Sequence, residues 1–116
     1  MSKIKVLVVE DNERWQVWFV QKFGNDFDIF QAHSKWLARE FFEANPDIGI
    51  IIMDACLDDH IPDTLDLTRD FRVTFSGKII ASSSSEIYRE QQVKAGCSHS
   101  CHKDDLFEKF LEIVNS

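Results

Sequence analysis

The amino-acid sequence predicts one α/β domain in which five parallel strands form an open sheet, covered by helices on both faces. Segments with the pattern of strands alternate strictly with segments with the pattern of helices, over 116 residues. This alternation is typical of parallel sheets, because each returning helix lies across one face. The apolar run from Ile48 to Met53 is nearly unbroken, as in a strand buried on both faces. Five units fit an open, doubly wound sheet and are too few for an eight-stranded barrel.

The first unit consists of a strand at residues 4–9 and the helix after it. Asn12 can cap this helix, since its short polar side chain can accept a hydrogen bond from the first turn. Gly24 fits the end of the helix. Apolar side chains recur with helical spacing and define one face: Trp15, Trp18, Phe19 and Phe23. We therefore expect Trp18 to lie in the core.

The second and third units follow the same plan. Residues 27–31 form a short strand, and Ser34 can cap a helix that stops before Pro46. The apolar residues of that helix are Leu37, Phe41 and Phe42. The third unit is predicted as a strand at 47–53, a loop at 55–63 and a helix at 65–75.

The last two units complete the sheet. Gly77 marks a turn before a strand at 78–82, and Gly96 ends a short helix at 86–95. Residues 97–102 form the fifth strand, and Asp104 is expected to cap the final helix. The buried face of that helix is predicted to comprise Phe107, Phe110, Leu111 and Val114.

The composition excludes several classes of protein. A net charge of −7 argues against direct nucleic-acid binding, which needs a basic surface, and also against binding to anionic membranes. No apolar run approaches the roughly 18 residues of a membrane span, and the first residues lack the pattern of a signal peptide. Three cysteines, an odd number, indicate reduced thiols rather than a disulfide framework. We therefore expect a cytoplasmic protein with no membrane segment.

Polar side chains follow four of the predicted strands at their carboxyl ends. Glu10 and Asp11 follow the first strand, Asp54 the third, Ser83 the fourth and Lys103 the fifth. The functional site of an open parallel sheet lies beyond these ends. Three neighbouring carboxylates repel one another until a cation neutralises them, and oxygen ligands with room for water favour Mg²⁺. A carboxylate can form an acyl phosphate, and phosphoryl transfer needs the positive charge that Mg²⁺ and a lysine supply.

These pieces, taken in order, resemble the receiver domain of two-component response regulators of the chemotaxis type. The resemblance covers essentially the whole chain and depends on four segments: Lys5 to Asn12, Ile51 to Asp54, Ile79 to Ser83, and Ala95-Gly96 with Lys103 seven residues after the glycine. It implies a flavodoxin-like (βα)5 fold with strand order 2-1-3-4-5 and a single receiver domain at residues 1–116.

The resemblance also implies a role for each site residue. Asp54 is the implied phospho-acceptor, and Ser83 and Lys103 contact the phosphoryl oxygens. Mg²⁺ is the implied cofactor, and its ligands are Glu10, Asp11, Asp54 and the backbone carbonyl of Cys56. Cys56 and Ser85 are implied to flank the path of the water that hydrolyses the phosphoryl group.

The implied partners are proteins. A histidine kinase or a histidine phosphotransfer protein donates the phosphoryl group from a phosphohistidine. The receiver catalyses this transfer to itself and then changes its contacts with a downstream protein, so no turnover of an external substrate is expected.

The sequence departs from the family pattern at three places. Ser100 replaces the usual aromatic residue of the fifth strand, and Asp104 replaces the usual proline after the lysine. We predict a trans Lys103-Asp104 bond, since a cis bond without proline costs about 2.5–4 kcal/mol. The loop after Asp54 is about two residues longer than usual and carries Asp58, Asp59 and His60. It is either a solvated acidic loop or a modulator of Mg²⁺ affinity and partner choice.

Other interpretations of these residues remain open at this point. Ser100 and Asp104 favour a degenerate receiver that acts as a phosphorylation-independent interaction module. An aspartate-based phosphatase or a metal-dependent nuclease could share this sheet, but the phosphatases usually have an acid where Cys56 stands. Ser83 and Glu86 have the spacing of a capping box, so Ser83 could cap a helix, contact phosphate, or do both.

The cysteine- and histidine-rich segment at residues 97–102 resembles a zinc cluster at first sight. A strand would place Cys97, His99 and Cys101 on one face, where three successive positions cannot surround a tetrahedral ion. We therefore interpret them as buried strand residues.

Overall fold

A computed structural model describes residues 3–116, so Met1 and Ser2 of the predicted domain lie outside the described residues. The chain alternates between strands and helices throughout. The strands are β1 Ile4–Val9, β2 Phe27–Ala32, β3 Ile50–Asp54, β4 Lys78–Ser82 and β5 His99–Cys101. The helices are α1 Glu13–Phe23, α2 Lys35–Ala44, α3 Leu65–Thr74, α4 Glu86–Ala95 and α5 Leu106–Val114.

All four strand pairings are parallel, and the sheet order is β2-β1-β3-β4-β5. The predicted doubly wound sheet with order 2-1-3-4-5 is therefore confirmed. The central strand β3 lies between β1 and β4, and its last residue, Asp54, pairs with Ser82. This register brings the carboxyl ends of β1, β3 and β4 to the same edge of the sheet.

Two hydrophobic cores sandwich the sheet because side chains of a strand alternate between its faces. One core, which includes Leu7, Ile51 and Ile79, packs against α2 and α3. The other, which includes Val6 and Ile52, packs against α1 and α5. Its centre is a group of phenylalanine rings with centroids about 5–6 Å apart: Phe19, Phe23, Phe27, Phe107 and Phe110.

Two apolar residues predicted in the core lie at the surface. Trp18 is 51% exposed and Leu111 is 40% exposed, so both predictions are wrong. On α1, Phe19 and Gln16 are fully buried. The side-chain amide of Gln16 donates hydrogen bonds to the backbone carbonyls of Val8 and Glu10. Phe19 and Phe23 of the predicted stripe are buried, whereas Trp18 lies at its exposed side.

The fifth strand is shorter than predicted. It spans His99–Cys101, because the Cys97 amide instead bonds to the carbonyl of Gln92 in the turn that ends α4. Gly96 forms this turn with φ of 134°, a conformation that side-chain-bearing residues rarely adopt. Cys97 and Cys101 consequently pack into the two opposite cores, which corrects the prediction that they share a face.

Four other strand and helix ends differ from the prediction by one to three residues, and one of them is the end of the third strand, at Asp54. The third strand begins at Ile50, since the amides of Ile48 and Gly49 are engaged with Asn45 and Lys5. The second strand extends to Ala32, and α3 ends at Thr74. The first and fourth strands and α4 have their predicted bounds.

Two of the predicted helix caps are confirmed and two are wrong. The side chains of Asn12 and Ser34 accept hydrogen bonds from the first turns of α1 and α2, as predicted. Asp104 does not cap α5. A 3₁₀ turn at Lys103–Asp105 precedes that helix, and the His102 ring nitrogen accepts from the Asp104 amide.

The capping-box interpretation of Ser83 is also wrong, because Ser85 caps α4 by accepting from the Tyr88 amide. No cis peptide bond occurs in residues 3–116, so the predicted trans Lys103-Asp104 bond is confirmed. Of the helices within the described range, none has the length and hydropathy of a membrane span.

Candidate functional site

Asp54 is the last residue of the central strand, and hydrogen bonds from distant side chains hold the backbone there. The Thr64 hydroxyl donates to the backbone carbonyl of Asp54 at 2.7 Å, and the buried Gln92 amide donates to that of Met53 at 2.8 Å. The Asp54 side chain lies at the edge of the core, since the residue is 8% exposed. Side chains from α4 and from the residue that precedes α3 therefore hold the backbone that positions this carboxylate at the sheet edge.

Two further carboxylates, predicted from the end of β1, lie beside Asp54. Oxygen atoms of Glu10, Asp11 and Asp54 all lie within 4.8 Å of one another. Glu10 is buried and accepts a hydrogen bond from the Asn12 amide, whereas Asp11 is exposed at the pocket surface. Three acids from two neighbouring strands thus form one cluster with a water-facing side.

The ammonium group of Lys103 completes the cluster. It contacts the carboxylate of Glu10 and lies 3.5 Å from Oδ2 of Asp54. It also lies 6.0 Å from the centre of the Trp15 ring. Lys103 is the first residue of the 3₁₀ turn that follows β5. One positive charge is therefore shared among three acids.

The pKa values of these groups reflect burial and mutual repulsion. Burial raises the pKa of Glu10, and the neighbouring Asp54 carboxylate raises it further. Burial also raises the pKa of Asp54, although Glu10 and Lys103 oppose that shift. Partial loss of water and the proximity of Glu10 raise the pKa of Asp11. Burial alone would lower the pKa of Lys103, but Glu10 and Asp54 outweigh it and raise the pKa.

An open pocket of about 330 Å³ lies above the cluster. Its walls come from the carboxyl ends of β1, β3, β4 and β5, from the β3–α3 loop and from the first turn of α4. The residues that line it are Asp11, Asp54, Cys56, Asp59, His60, Ser83, Ser84, Ser85, Tyr88 and Lys103. The pocket is polar and large enough for a hydrated ion and a phosphoryl group.

The other predicted site residues also lie at this pocket. Ser83 is 6% exposed, and its hydroxyl accepts a hydrogen bond from the Ser85 amide. Cys56 lines the pocket two residues after Asp54, and its backbone amide is one of the groups that oppose the rise in the pKa of the Asp54 carboxyl. Burial and the nearby acids, Asp54 foremost, raise the pKa of the Cys56 thiol to about 11. This thiol is therefore protonated at neutral pH.

Sequence reasoning missed three residues that support the site. Thr64 and Gln92 hold the backbone around Asp54, and Tyr88 forms part of the pocket wall. None of them belongs to a local pattern, since each makes its contact with a distant segment. Within residues 3–116, the acid cluster is the one group of side chains that could hold a metal ion. The cysteines and histidines of residues 97–102 form no such group.

Because the three carboxylates repel one another, we predict that Asp54→Asn stabilises the folded protein, by an amount that depends on pH. Raised carboxyl pKa values contribute stability that is present near pH 4 and is lost as the pH rises through the folded-state values. In EDTA, Asp54→Asn should therefore increase the free energy of unfolding relative to native protein more at pH 7 than at pH 4.5. Urea denaturation measures the difference, and Asp28→Asn, which removes an exposed acid of β2 outside the cluster, is the control. Equal effects of Asp54→Asn at both pH values would contradict the prediction.

Comparisons with known proteins address the fold. No family model matches the sequence. A segment of the DNA-directed RNA polymerase subunit beta' of Prochlorococcus marinus subsp. pastoris is 25% identical over 89 residues, which is 76% of this chain. The chain spans 6% of the length of that subunit. A match of this extent says nothing about what the chain does.

Several solved structures superpose closely on this chain. A response regulator receiver domain protein (CheY-like) from Methanospirillum hungatei JF-1 superposes with a TM-score of 0.82 and 19% identity, over 98% of this chain and 95% of that one. A response regulator from Burkholderia pseudomallei was solved with a phosphorylated aspartic acid, a calcium ion and citrate. It superposes with a TM-score of 0.81 and 22% identity, over 94% of this chain and 65% of that one. A chain from the complex of the P1 domain of CheA3 with CheY6 from R. sphaeroides superposes with a TM-score of 0.76 and 17% identity, over the whole of both chains. With the strand order and the acids at the sheet edge already described, the chain has the fold of response-regulator receiver domains.

Proposed function

We propose that this chain is a phosphorylatable signalling receiver that accepts a phosphoryl group on Asp54. The observation that carries the proposal is the position of the Asp54 carboxylate, at the pocket floor, 3.5 Å from the Lys103 ammonium and beside two further acids. A nucleophilic carboxylate next to a fixed positive charge suits phosphoryl transfer, which depends on positioning and charge neutralisation. The phosphorylated aspartic acid in the Burkholderia pseudomallei structure supports this proposal.

Mg²⁺ is the proposed cofactor, and the chemistry of the donor set fits it. Carboxylate oxygens of Glu10, Asp11 and Asp54 converge, the pKa of each is raised, and the cluster opens to water on one side. Hard oxygen ligands with room for several waters suit this ion. A bound divalent cation would neutralise the carboxylates and the phosphoryl oxygens. The backbone carbonyl of Cys56 is the proposed further ligand.

The proposed donor is a phosphohistidine. An Asp54 carboxylate oxygen attacks phosphorus, and the bond between phosphorus and the histidine nitrogen breaks. The electron pair goes to the imidazole, which takes up a proton, and Asp54 becomes an acyl phosphate. Lys103 attracts a phosphoryl oxygen, and the Ser83 hydroxyl is close enough to the pocket to donate to another.

The donor protein would be a histidine kinase or a histidine phosphotransfer protein, and the proposed place of action is the cytoplasm. The complex of the CheA3 P1 domain with CheY6 supports a partner of this kind. Phosphorylation would shift an existing conformational equilibrium and alter contacts with a downstream protein. We expect no turnover of an external substrate.

Intact-mass spectrometry after treatment with phosphoramidate tests the proposal. Native protein with Mg²⁺ should gain the mass of one phosphoryl group, and should gain far less in EDTA. Asp54→Asn should gain none, while Asp58→Asn, a change to an exposed acid of the nearby loop, should behave like native protein. An unmodified native protein, or equal modification of Asp54→Asn, would refute phosphorylation at this residue.

A second candidate is a degenerate receiver that binds partners without phosphorylation. Ser100 favours it, because this residue is an exposed serine in the short strand β5 and offers no aromatic side chain to move with Ser83. Asp104, which replaces the usual proline, is also exposed. Absence of any adduct on correctly folded native protein would favour this module over the switch.

A further inference from the structure

A hydrogen bond joins two walls of the pocket that are far apart in the sequence. The Tyr88 hydroxyl, in the first turn of α4, donates to the backbone carbonyl of His60 at 3.0 Å. Both residues line the pocket that contains Asp54, and so does Asp59. The bond therefore connects α4 to the long acidic loop between β3 and α3 at the site itself.

The base of that loop is held by its own contacts. The Asp63 carboxylate accepts hydrogen bonds from the amides of Leu57 and Asp58, at 2.7 and 2.8 Å. The Asp63 amide in turn donates to the Ala55 carbonyl at 3.0 Å. These bonds fix residues 55–58 without any help from α4.

The tip of the loop, residues 59–61, is held differently. All three residues are exposed, and Ile61 is 60% exposed. Among the hydrogen bonds of the described residues, the one from Tyr88 is the bond that ties this tip to another element. The position of the tip over the pocket thus depends on a single hydroxyl group.

The position of Tyr88 depends in turn on the serines of the pocket. The Tyr88 amide donates to the Ser85 hydroxyl at 3.2 Å, and the Ser85 amide donates to the Ser83 hydroxyl at 3.1 Å. A continuous path of hydrogen bonds therefore leads from Ser83, beside Asp54, to the loop tip. The loop tip and the proposed phosphate-binding hydroxyl belong to one network.

We infer that Tyr88 is a positioning residue that holds the loop tip over Asp54 and thereby slows hydrolysis of its phosphoryl group; this rests on the proposed function. In hydrolysis a water oxygen attacks phosphorus, and the bond between phosphorus and the Asp54 oxygen breaks. Its electron pair returns to the carboxylate, and inorganic phosphate leaves. A loop tip fixed beside the pocket narrows the space from which that water approaches, whereas a released tip widens it.

Two substitutions separate the hydrogen bond from other changes to the first turn of α4. Tyr88→Phe removes the donor hydroxyl and keeps the ring, whereas Ile87→Ala truncates the neighbouring side chain, which is 66% exposed, and keeps the Tyr88 hydroxyl. Hydrogen exchange of residues 57–62 is measured first on unphosphorylated protein with Mg²⁺. Loss of one hydrogen bond should speed exchange about two- to tenfold in Tyr88→Phe, and Ile87→Ala should resemble native protein.

The lifetime of the adduct is then measured after phosphoramidate has been removed. Tyr88→Phe should lose its phosphoryl group several-fold faster than native protein, and Ile87→Ala should lose it at close to the native rate. Unchanged exchange in Tyr88→Phe would overturn the tether, and faster exchange with an unchanged lifetime would overturn its role in hydrolysis. No adduct on native protein would refute the proposed function, while faster exchange in Tyr88→Phe would still support the tether itself.

Discussion

Lys103→Met should slow formation of the Asp54 adduct by about 10²–10³-fold with phosphoramidate and Mg²⁺, the range found when one fixed electrostatic partner is removed from an active site. The Lys103 ammonium is 3.5 Å from the Asp54 carboxylate and contacts Glu10, so it is held where phosphoryl charge would accumulate in the proposed transfer. Methionine preserves the length of the side chain but not its charge. The rate is measured by intact mass at successive times.

The charge of Lys103 also stabilises the folded protein. Glu10 is 2% exposed, and without the ammonium its carboxylate would stay buried beside Asp54 with no counter-charge. Breaking a fully buried ion pair costs about 3–5 kcal/mol, and Lys103 is partly exposed, so we expect roughly 1–3 kcal/mol in EDTA. Lys109→Met removes a surface lysine that pairs with Glu112 and serves as the control for both measurements. A Lys103→Met protein that reacts as fast as Lys109→Met would contradict the role assigned to the ammonium.

Phe110→Ala should cost about 3–5 kcal/mol of the free energy of unfolding, since it removes a large, fully buried ring. The ring of Phe110 lies 4.8–5.2 Å, centre to centre, from those of Phe19, Phe23 and Phe27. The neighbours belong to α1 and β2, so a cavity here loosens the contact between α5, α1 and the sheet. A loss of this size is a large share of the 5–15 kcal/mol typical of a domain.

Trp18→Ala offers a matched control for Phe110→Ala. Trp18 is a larger aromatic residue, which its spacing also places on the apolar stripe of a helix, but it is 51% exposed. We expect its replacement to cost less than about 1 kcal/mol. Urea denaturation of both variants provides the comparison, and equal losses would show that burial in this structure does not govern their contributions.

The position of the site could be predicted because it follows from local sequence signals. A nearly unbroken apolar run marks a buried strand, and the polar residues that follow it mark the strand's carboxyl end, as for Asp54. Parallel topology then brings Glu10, Asp54 and Lys103 together, whatever the details of the helices between them. Their separation along the chain did not matter, because the topology alone determines which ends are neighbours.

The errors arose where a local pattern had two possible outcomes. Helical periodicity placed Trp18 and Leu111 on apolar stripes, but it could not show how far the sheet and the neighbouring helix cover each stripe. Ser83 and Ser85 are both suitable caps for α4, and only the path of the chain after β4 selects Ser85. Similarly, Asp104 was expected to cap the last helix, but its amide instead donates to the ring nitrogen of His102.

Contacts between distant residues lay beyond reach of sequence patterns. Gln92 and Met53 are 39 positions apart, and Tyr88 and His60 are 28 positions apart. No periodicity or motif links such pairs, since each depends on how a helix is rotated against the sheet. The sequence therefore predicted which side chains meet at the sheet edge, while the structure was needed to show which residues support them and line the pocket above them.

Chemical mapping of the phosphoryl group tests the account most directly. Borohydride reduces an aspartyl phosphate to homoserine, so reduction of phosphoramidate-treated native protein followed by peptide mass spectrometry locates the modified residue. We predict homoserine at position 54 and at no other aspartate, with the yield dependent on Mg²⁺. An unreduced Asp54, with the phosphoryl group on Asp11, on a histidine or on no residue at all, would contradict the account.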